Sequence, residues 1–276
     1  MKIIDGTAIA KGMLDELKLE IEKAGLSPKL AVIIVGDDPA SKTYLKSKEA
    51  ACSHVGITYE KYMLPSSTSQ AELLNLIKEL NESDVNAILL QMPLPKGMDE
   101  ETALEAIDPE KDADGFHPAN IGRLLLGDEA IAPATPSGII ELLTRSSIEV
   151  SGKHAVIVGR SNVVGKPLAV MLLNRDATVT ICHSRTSNLA RITREADILA
   201  VAVGKPHFIT SDMVKEGAVV IDVGINKVGG STVGDVDFEK VKEKASAITP
   251  VPGGVGPMTV ASLMRNVFLL TLAQRG

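Results

Sequence analysis

Two hydrophobic periods alternate along the first half of the chain, one typical of amphipathic helices and one typical of buried strands. Residues 7–24 carry apolar side chains at helical spacing, whereas residues 30–35 form a short continuous apolar run. Asp38 followed by Pro39 favours a helix start, because Asp caps and Pro fits the first turn. The predicted elements are helices over 7–24, 38–55 and 71–80, and strands over 30–35, 58–64 and 85–90.

The second half repeats this alternation with four apolar runs, at residues 155–158, 177–182, 197–203 and 218–223. Short apolar runs separated by helical segments are typical of a parallel sheet covered on both faces. We therefore predict an α/β protein made of two α/β domains, the second a Rossmann-type parallel sheet.

Connecting segments suggest where the domains divide. Residues 108–122 are rich in turn-forming residues and predict a loop, and residues 137–146 predict a helix that links the halves. A last helix is predicted over 257–274. The expected regions are a first domain over 1–146, a nucleotide-binding domain over 147–257, and a C-terminal helix over 258–276 that packs back on the first domain.

The composition of the 276 residues narrows the function classes. The net charge is −6 and no basic block occurs, which argues against a nucleic-acid partner. The N-terminus lacks a signal-peptide pattern, and we expect no apolar run long enough to span a membrane. Two cysteines without metal spacing and five scattered histidines predict a reduced, cytoplasmic protein with no metal site.

The segment AVIVGRSNVVGKP, residues 155–167, has the order strand, glycine turn and helix start. This geometry directs free backbone N–H groups at a phosphate. Five residues separate Gly159 from Gly165, one more than a P-loop allows. The dinucleotide fingerprint is imperfect too, because Ser161 and Val164 occupy its second and third glycine positions. A turn that binds nothing therefore stays open as an alternative.

The end of the next predicted strand bears on which dinucleotide binds. An NAD site usually places an acid there for the ribose 2′-hydroxyl, but residues 183–186 read His-Ser-Arg-Thr. Arg185, together with Arg160 in the preceding turn, suits a 2′-phosphate and favours NADP. The alternative is a solvated loop that happens to carry an arginine.

Tyr44 and Lys48 lie four residues apart and so share one face of the helix predicted over 38–55. A lysine in an apolar stripe either extends its amine to solvent or has a lowered pKa that suits proton transfer. Gln91 ends a buried strand, where α/β proteins bind ligands. Asp114 lies in a turn, where local hydrogen bonding is the simpler explanation. The proline- and glycine-rich residues 250–259 fit either a ligand surface or a tight connection.

These signals occur within ordered blocks that together cover nearly the whole chain. In them the chain resembles the bifunctional methylenetetrahydrofolate dehydrogenase/cyclohydrolase (FolD-type) family. The blocks are VGDDPASKTYLKSKEAAC at 35–52, QMPLPKG at 91–97, PEKDADGFHPANIGRL at 109–124, TPSGIIELL at 135–143, GRSNVVGKPLAVMLL at 159–173, VIDVGIN at 220–226 and TPVPGGVGPMTVASL at 249–263.

The resemblance implies catalytic roles for four residues. Lys48 matches the catalytic lysine, Tyr44 the tyrosine that stacks on the aminobenzoyl ring, Gln91 the glutamine that positions the lysine, and Asp114 the aspartate that holds the pterin. It implies oxidation of 5,10-methylenetetrahydrofolate with NADP, followed by hydrolysis to 10-formyltetrahydrofolate. It also implies a homodimer with its active site in the cleft between the two domains.

Binding residues follow from the same match. The expected cofactor-binding residues are Gly159, Arg160, Ser161, Ser184, Arg185 and Ile225. The expected folate-binding residues are Tyr44, Lys48, Leu90, Gln91, Met92, Asp114, Pro252, Gly253, Gly254, Val255 and Gly256. Ala134 and Met92 depart from the residues common in the family, and neither departure removes a catalytic group. Two other functions compete: an NADP-dependent dehydrogenase of shikimate type, and a non-catalytic NADP-binding regulator.

Overall fold

The computed structural model describes residues 1–37 and 39–275, apart from the side chains of residues 39–44. The chain divides into two compact units. Gly12–Ala134 and Val260–Gly276 form one, here called the three-stranded unit, and Met1–Lys11 and Thr135–Thr259 form the other, the six-stranded unit. Each unit contains a parallel sheet and helices, which confirms the predicted α/β class.

The described strands and helices alternate over much of the chain. The strands are β1 (Lys2–Ile3), β2 (Lys29–Val35), β3 (Thr58–Leu64), β4 (Ala87–Leu90), β5 (His154–Val158), β6 (Thr178–Cys182), β7 (Ile198–Val201), β8 (Val219–Asp222), β9 (Asn226–Val228), β10 (Ser231–Val233) and β11 (Ala247–Ile248). The helices are α1 (Gly6–Ala24), α2 (Pro39–Val55), α3 (Gln70–Glu82), α4 (Glu100–Glu105), α5 (Pro118–Leu125), α6 (Ala134–Arg145), α7 (Gly165–Leu173), α8 (Leu189–Thr193), α9 (Phe238–Val241) and α10 (Val255–Ala273). The alternation is interrupted by the consecutive helices α4–α6 and the consecutive strands β8–β10.

In the three-stranded unit, β2 lies between β3 and β4, and the strands are parallel. Successive β2 side chains enter two different cores, since Leu30 and Val32 pack with one apolar cluster and Ala31 and Ile33 with another. Burial on both faces explains the unbroken apolar run in the sequence. Gln91 follows β4 directly and so lies at the carboxyl edge of this sheet.

The six-stranded unit has the strand order β1-β11-β8-β7-β5-β6, and every neighbouring pair is parallel. After β5 the chain adds β6 on one side and then β7 on the other. This reversal creates a switch point at the carboxyl ends of β5 and β7, the usual ligand position in an open α/β sheet. Strands β9 and β10 form a separate antiparallel pair.

The observed division differs from the predicted boundary at residues 146 and 147. Helix α6 belongs to the six-stranded unit, where Thr135 Oγ1 lies 3.0 Å from Thr259 Oγ1. Gly138 in α6 also packs so closely on Met258 that a Cβ would lie 2.9 Å from its backbone. The first eleven residues belong there as well, because β1 pairs with β11. At the other end, Val260–Gly276 belongs to the three-stranded unit.

Two local predictions need correction. The segment predicted as a loop over 108–122 contains the start of α5, where His117 Nδ1 accepts from Ala119 N–H (3.1 Å) and Pro118 occupies the first turn. Proline is common both in turns and in the first turn of a helix, so Pro118 alone does not distinguish the two. Strand β4 begins at Ala87 rather than residue 85. The predicted cap at Asp38 lies outside the described residues.

Helix α10 also corrects the expectation about membrane-spanning runs. Its 19 residues are long and apolar enough to cross a bilayer by length and composition alone, with a mean hydropathy of 1.3 in the most apolar window. However, 67% of that window is buried inside the structure, as in the core helix of a globular fold. Val267 and Leu263, for example, pack in the same cluster as Leu30 of β2.

Candidate active site

Lys48 is the central group of the predicted catalytic set in the three-stranded unit. Its side chain is only 8% exposed, beside the buried Ala51 and Cys52 on the same helix. Its Nζ donates a hydrogen bond of 3.0 Å to Gln91 Oε1. The amine therefore lies inside the unit instead of extending along the surface to solvent.

Gln91 is itself fixed by two contacts. Its backbone N–H donates to the carbonyl oxygen of Ile33 (2.9 Å), which continues the pairing of β4 with β2. Its side-chain Nε2 donates to the carbonyl oxygen of Met92 (2.7 Å). With Nε2 occupied in this way, Oε1 points at Lys48, so the amide has one orientation and the lysine amine has a fixed acceptor.

Burial and charge shift the pKa values of Lys48 and Asp114 in opposite directions. Burial lowers the pKa of Lys48 below its ordinary 10.5, while Asp114 and Cys52 act against this shift. Burial also raises the pKa of Asp114 from 3.8 to about 6, with Lys48 opposing and Asp112 adding to the rise. The two groups thus interact electrostatically, and both move towards the neutral pH range where proton transfer is efficient.

The turn that carries Asp114 is held by Asp112, which the sequence reasoning missed. Asp112 is buried and accepts from Gly115 N–H (3.0 Å), His117 N–H (2.8 Å) and Asn120 Nδ2 (3.0 Å). From α10, Asn266 Nδ2 donates to the carbonyl oxygen of Ala113 at 2.9 Å. Two of the residues flanking Asp114 are therefore tied to other parts of the unit.

The other predicted folate-binding residues fall in different places. Leu90 is buried within an apolar core and Met92 is partly buried against the same core. The side chain of Tyr44 lies outside the described residues. Residues Pro252, Gly253, Gly254, Val255 and Gly256 belong to the six-stranded unit, where Gly253 has φ +100° and its carbonyl oxygen accepts from Thr7 N–H (3.0 Å).

Gly159 begins the predicted nucleotide-binding turn in the six-stranded unit. It has φ +135°, and a Cβ there would collide with the carbonyl oxygen of Ala202, just beyond β7. A Cβ on Gly165 would collide with the carbonyl of Gly159. Glycine is therefore required at both positions, and the backbone at the start of α7 lies directly against the turn.

Ser161 replaces the second glycine of the usual fingerprint, and its hydroxyl forms hydrogen bonds with the start of α7. Its Oγ accepts from Val164 N–H (3.2 Å) and Gly165 N–H (3.4 Å) at the start of α7. Arg160 and Ser161 are exposed at this turn, and Ser184 and Arg185 are exposed after β6. Exposed cationic and hydroxyl side chains at two adjacent strand ends fit a phosphorylated ligand.

Ile225 is the remaining predicted cofactor residue. It follows β8 and is 47% exposed, so it leaves an apolar surface at the carboxyl edge of the sheet. The structure thus brings Gly159, Arg160, Ser161 and Ile225 to the strand ends of one sheet. Together with the glycine turn at its switch point, this arrangement defines a dinucleotide-binding α/β protein.

Comparisons with known proteins identify the family to which this dinucleotide-binding chain belongs. Residues 4–114 match the model of the tetrahydrofolate dehydrogenase/cyclohydrolase catalytic domain, and residues 133–275 match that of the tetrahydrofolate dehydrogenase/cyclohydrolase NAD(P)-binding domain. The chain therefore belongs to the tetrahydrofolate dehydrogenase/cyclohydrolase family. This confirms the identification made from the sequence, including the dinucleotide cofactor, and the two predicted activities are those that name the family.

Individual relatives agree over their full length. A bifunctional FolD protein of Francisella philomiragia is 57% identical over 274 residues, covering 97% of each chain. The crystal structure of the bifunctional FolD enzyme of Campylobacter jejuni has a TM-score of 0.96 and 49% identity, covering 99% of each chain. The Trypanosoma brucei enzyme, solved with NADP and an inhibitor, has a TM-score of 0.94 and 39% identity over 99% of this chain and 98% of that one.

A more distant structural similarity bears on the alternative function, an NADP-dependent dehydrogenase of shikimate type. Shikimate 5-dehydrogenase of Listeria monocytogenes has a TM-score of 0.50 and 10% identity over 89% of this chain and 92% of that one. At this identity only the fold is shared. The shikimate-type alternative therefore gains no support from it.

Proposed function

We propose that the chain oxidises 5,10-methylenetetrahydrofolate with NADP and hydrolyses the methenyl product, with Lys48, Gln91 and Asp114 as the residues that act on the folate. The observation that supports this most strongly is the buried Lys48 amine, 3.0 Å from Gln91 and in electrostatic contact with Asp114. A non-catalytic NADP-binding regulator would not need such a group.

The oxidation step depends mainly on alignment. The reacting carbon lies between two nitrogens, and a nitrogen lone pair drives hydride away from it, so no strong acid or base is required. When NADP is bound, its nicotinamide ring accepts that hydride. Asp114 holds the pterin edge, because a carboxylate accepts two parallel hydrogen bonds from such a group.

The hydrolysis step is where Lys48 acts. Water must add to the cationic methenyl carbon and lose a proton, and the departing nitrogen must gain one. Burial lowers the pKa of Lys48, which increases the neutral fraction that accepts a proton, and the positive charge of the methenyl substrate lowers it further. Gln91 Oε1 holds Nζ in place throughout.

Replacement of Lys48 tests this assignment. A two-wavelength assay that follows NADPH and the methenyl compound together should show Lys48→Met losing about 10²- to 10⁴-fold in hydrolysis. The dehydrogenase step should continue, so the methenyl compound accumulates. Lys46→Met, an exposed lysine on the same helix, is the matched control and should behave as the wild type. Undiminished hydrolysis by Lys48→Met would remove Lys48 from the mechanism.

The preference for NADP is proposed to come from Arg160 and Arg185, both exposed beside the nucleotide turn. Removal of either guanidinium should raise the KM for NADP by about 10-fold or more, the effect of one charge-assisted hydrogen bond, and change the KM for NAD much less. Arg191→Ala is a control for the loss of one exposed positive charge. Equal losses for both cofactors would contradict the 2′-phosphate role.

We also propose a homodimer in a reducing, cytoplasmic compartment. Both cysteines are free and buried. Strand β6 is at the edge of its sheet, with Ile181 and Leu173 exposed beside it, a surface suited to pairing with a second copy. Light scattering should give twice the chain mass, and Ile181→Lys should reduce it. A monomeric wild type would refute the dimer.

A further inference from the structure

Two buried aspartates in the six-stranded unit have no role in the mechanism above. Asp222 ends β8 and is 3% exposed, and Asp235 follows β10 and is fully buried. A buried carboxylate loses its hydration, so it persists only where other groups replace the lost hydrogen bonds. For Asp222 and Asp235 these groups come from the segments that follow β7, β8 and β10.

Asp235 is hydrogen-bonded mainly by the loop that follows β7. Its Oδ2 accepts from Val203 N–H (2.6 Å) and Gly204 N–H (2.9 Å), and its Oδ1 accepts from Lys205 N–H (2.8 Å). Oδ1 also accepts from Asn226 Nδ2 (2.9 Å) at the start of β9. One side chain therefore joins the loop after β7 to the segment after β8.

Asp222 holds the same region from within the strand. Its Oδ1 accepts from Gly224 N–H (3.0 Å) and Asp235 N–H (2.9 Å), and its Oδ2 accepts from Val236 N–H (2.9 Å). A Cβ on Gly224 would collide with the Asp235 carboxylate, so the chain passes the two acids as closely as glycine permits. These contacts leave the segment little freedom to move.

Ile225 lies between Gly224 and Asn226, and each of these neighbours is held by a different one of the two aspartates. The loop after β7 begins beside Ala202, whose carbonyl oxygen lies against Gly159. Both fixed segments are therefore at the carboxyl edge of the sheet, on the opposite side of the switch point from β6.

Strand order indicates which half of the cofactor these segments meet. The 2′-phosphate is assigned to the end of β6 and the pyrophosphate to the glycine turn after β5. An extended dinucleotide then places its nicotinamide half across the ends of β7 and β8. We propose that Asp222 and Asp235 are positioning residues that hold Ile225 and the loop after β7 where the nicotinamide ring must lie for hydride transfer. This inference rests on the proposed function.

Asp235→Asn is the most direct test, because it keeps the size of the side chain but offers one acceptor oxygen to four N–H groups. We expect the dissociation constant for NADP, measured by titration without folate, to rise and the rate of oxidation to fall, each by about tenfold, since small displacements of reacting atoms are costly. Hydrolysis of methenyltetrahydrofolate supplied directly should stay within about twofold of the wild type, because that step uses Lys48.

Two further measurements separate positioning from general damage. The isotope effect on oxidation of substrate deuterated at the methylene carbon should increase in the variant, because misplacement slows hydride transfer itself. Asn226→Ala removes a single donor to Asp235 and should give a smaller change in the same direction, which keeps the test valid if Asp235→Asn does not fold. Asp212→Asn, at an exposed aspartate of the same unit, is the control.

The proposal is overturned if folded Asp235→Asn or Asn226→Ala oxidises substrate with unchanged kinetics and an unchanged isotope effect. It is also overturned if oxidation and hydrolysis fall in parallel, which would indicate only a structural role. Either outcome leaves the assignment of Lys48 intact, because that assignment is decided by the hydrolysis rate of Lys48→Met.

Discussion

Asp114 in the three-stranded unit and Asp235 in the six-stranded unit both lie near a proposed ligand site, but Asp114 is partly exposed whereas Asp235 is fully buried, and their partners differ. The pKa of Asp114 is set by burial and by the charges of Lys48 and Asp112, and reaches about 6. Asp235 accepts four hydrogen bonds from N–H groups of neighbouring loops. The comparison separates a carboxylate that is proposed to bind the folate from one whose hydrogen bonds are made within the fold.

The largest effect expected from this comparison is on stability. Asp235→Ala should lower the free energy of unfolding by about 3–5 kcal/mol, because several buried N–H groups lose their acceptor together. Urea denaturation measures the loss, with Asp212→Ala as an exposed control. A loss below about 1 kcal/mol would mean that the hydrogen bonds of Asp235 are easily replaced by water.

Asp114→Asn should stabilise the protein, unlike Asp235→Ala, but it should weaken folate binding. The KM for the folate should rise by about 10- to 100-fold, because an amide cannot accept two parallel hydrogen bonds from the pterin. At pH 8 the melting temperature should rise by about 2–4 °C, since a partly buried charge is removed.

The pH dependence of this gain follows from the direction of the pKa shift. The folded protein binds a proton at Asp114 up to about pH 6, whereas an unfolded aspartate releases it near pH 3.8. The ionised carboxylate therefore costs folding free energy above pH 6, and that cost disappears as the pH falls towards 4. The difference in melting temperature between Asp114→Asn and the wild type should disappear over the same range. A gain that does not depend on pH would point to packing instead.

A change at Lys48 should move the titration of Asp114. Lys48 holds the pKa of Asp114 down against burial, so its removal in Lys48→Met should raise that pKa above 6. Folate affinity, which needs the ionised carboxylate, should then begin to weaken at a higher pH than in the wild type. Binding titrations across pH 5–8 measure the midpoint. An unchanged midpoint would show that the two groups are not electrostatically coupled.

The smallest effect concerns the start of α7. Ser161→Ala should cost about 1 kcal/mol of unfolding free energy, the usual net contribution of a hydrogen bond, because Ser161 Oγ accepts from Val164 N–H and Gly165 N–H. Ser187→Ala, at an exposed serine, is the control. No loss in Ser161→Ala would show that water replaces this hydroxyl.

The sequence alone pointed to features that a residue type and its immediate neighbours reveal. A lysine in the apolar stripe of α2 left two alternatives, an amine extended to solvent or a buried one, and Lys48 is buried. The strand, glycine turn and helix start predicted at 155–167 are present as β5, the turn at Gly159 and the start of α7 at Gly165. In both cases the signal is local, because the residue type and its immediate neighbours carry it.

Other features depend on partners that are distant in sequence. The acceptor role of Asp235 involves backbone N–H groups about 30 residues away, and a backbone N–H group has no sequence signature. Strand β1 is two residues long and pairs with β11, so its place in the six-stranded sheet could not be read from its own pattern. The division into two units differs from the predicted domain boundary for the same reason.

The pairing of β1 with β11 has a consequence for synthesis on the ribosome. Lys2 and Ile3 leave the ribosome before strands β2 to β10, yet their partners Ala247 and Ile248 are made only after those strands. The nascent chain must therefore keep β1 unpaired while β2 to β10 are translated, and the six-stranded sheet gains this edge only once β11 has been made.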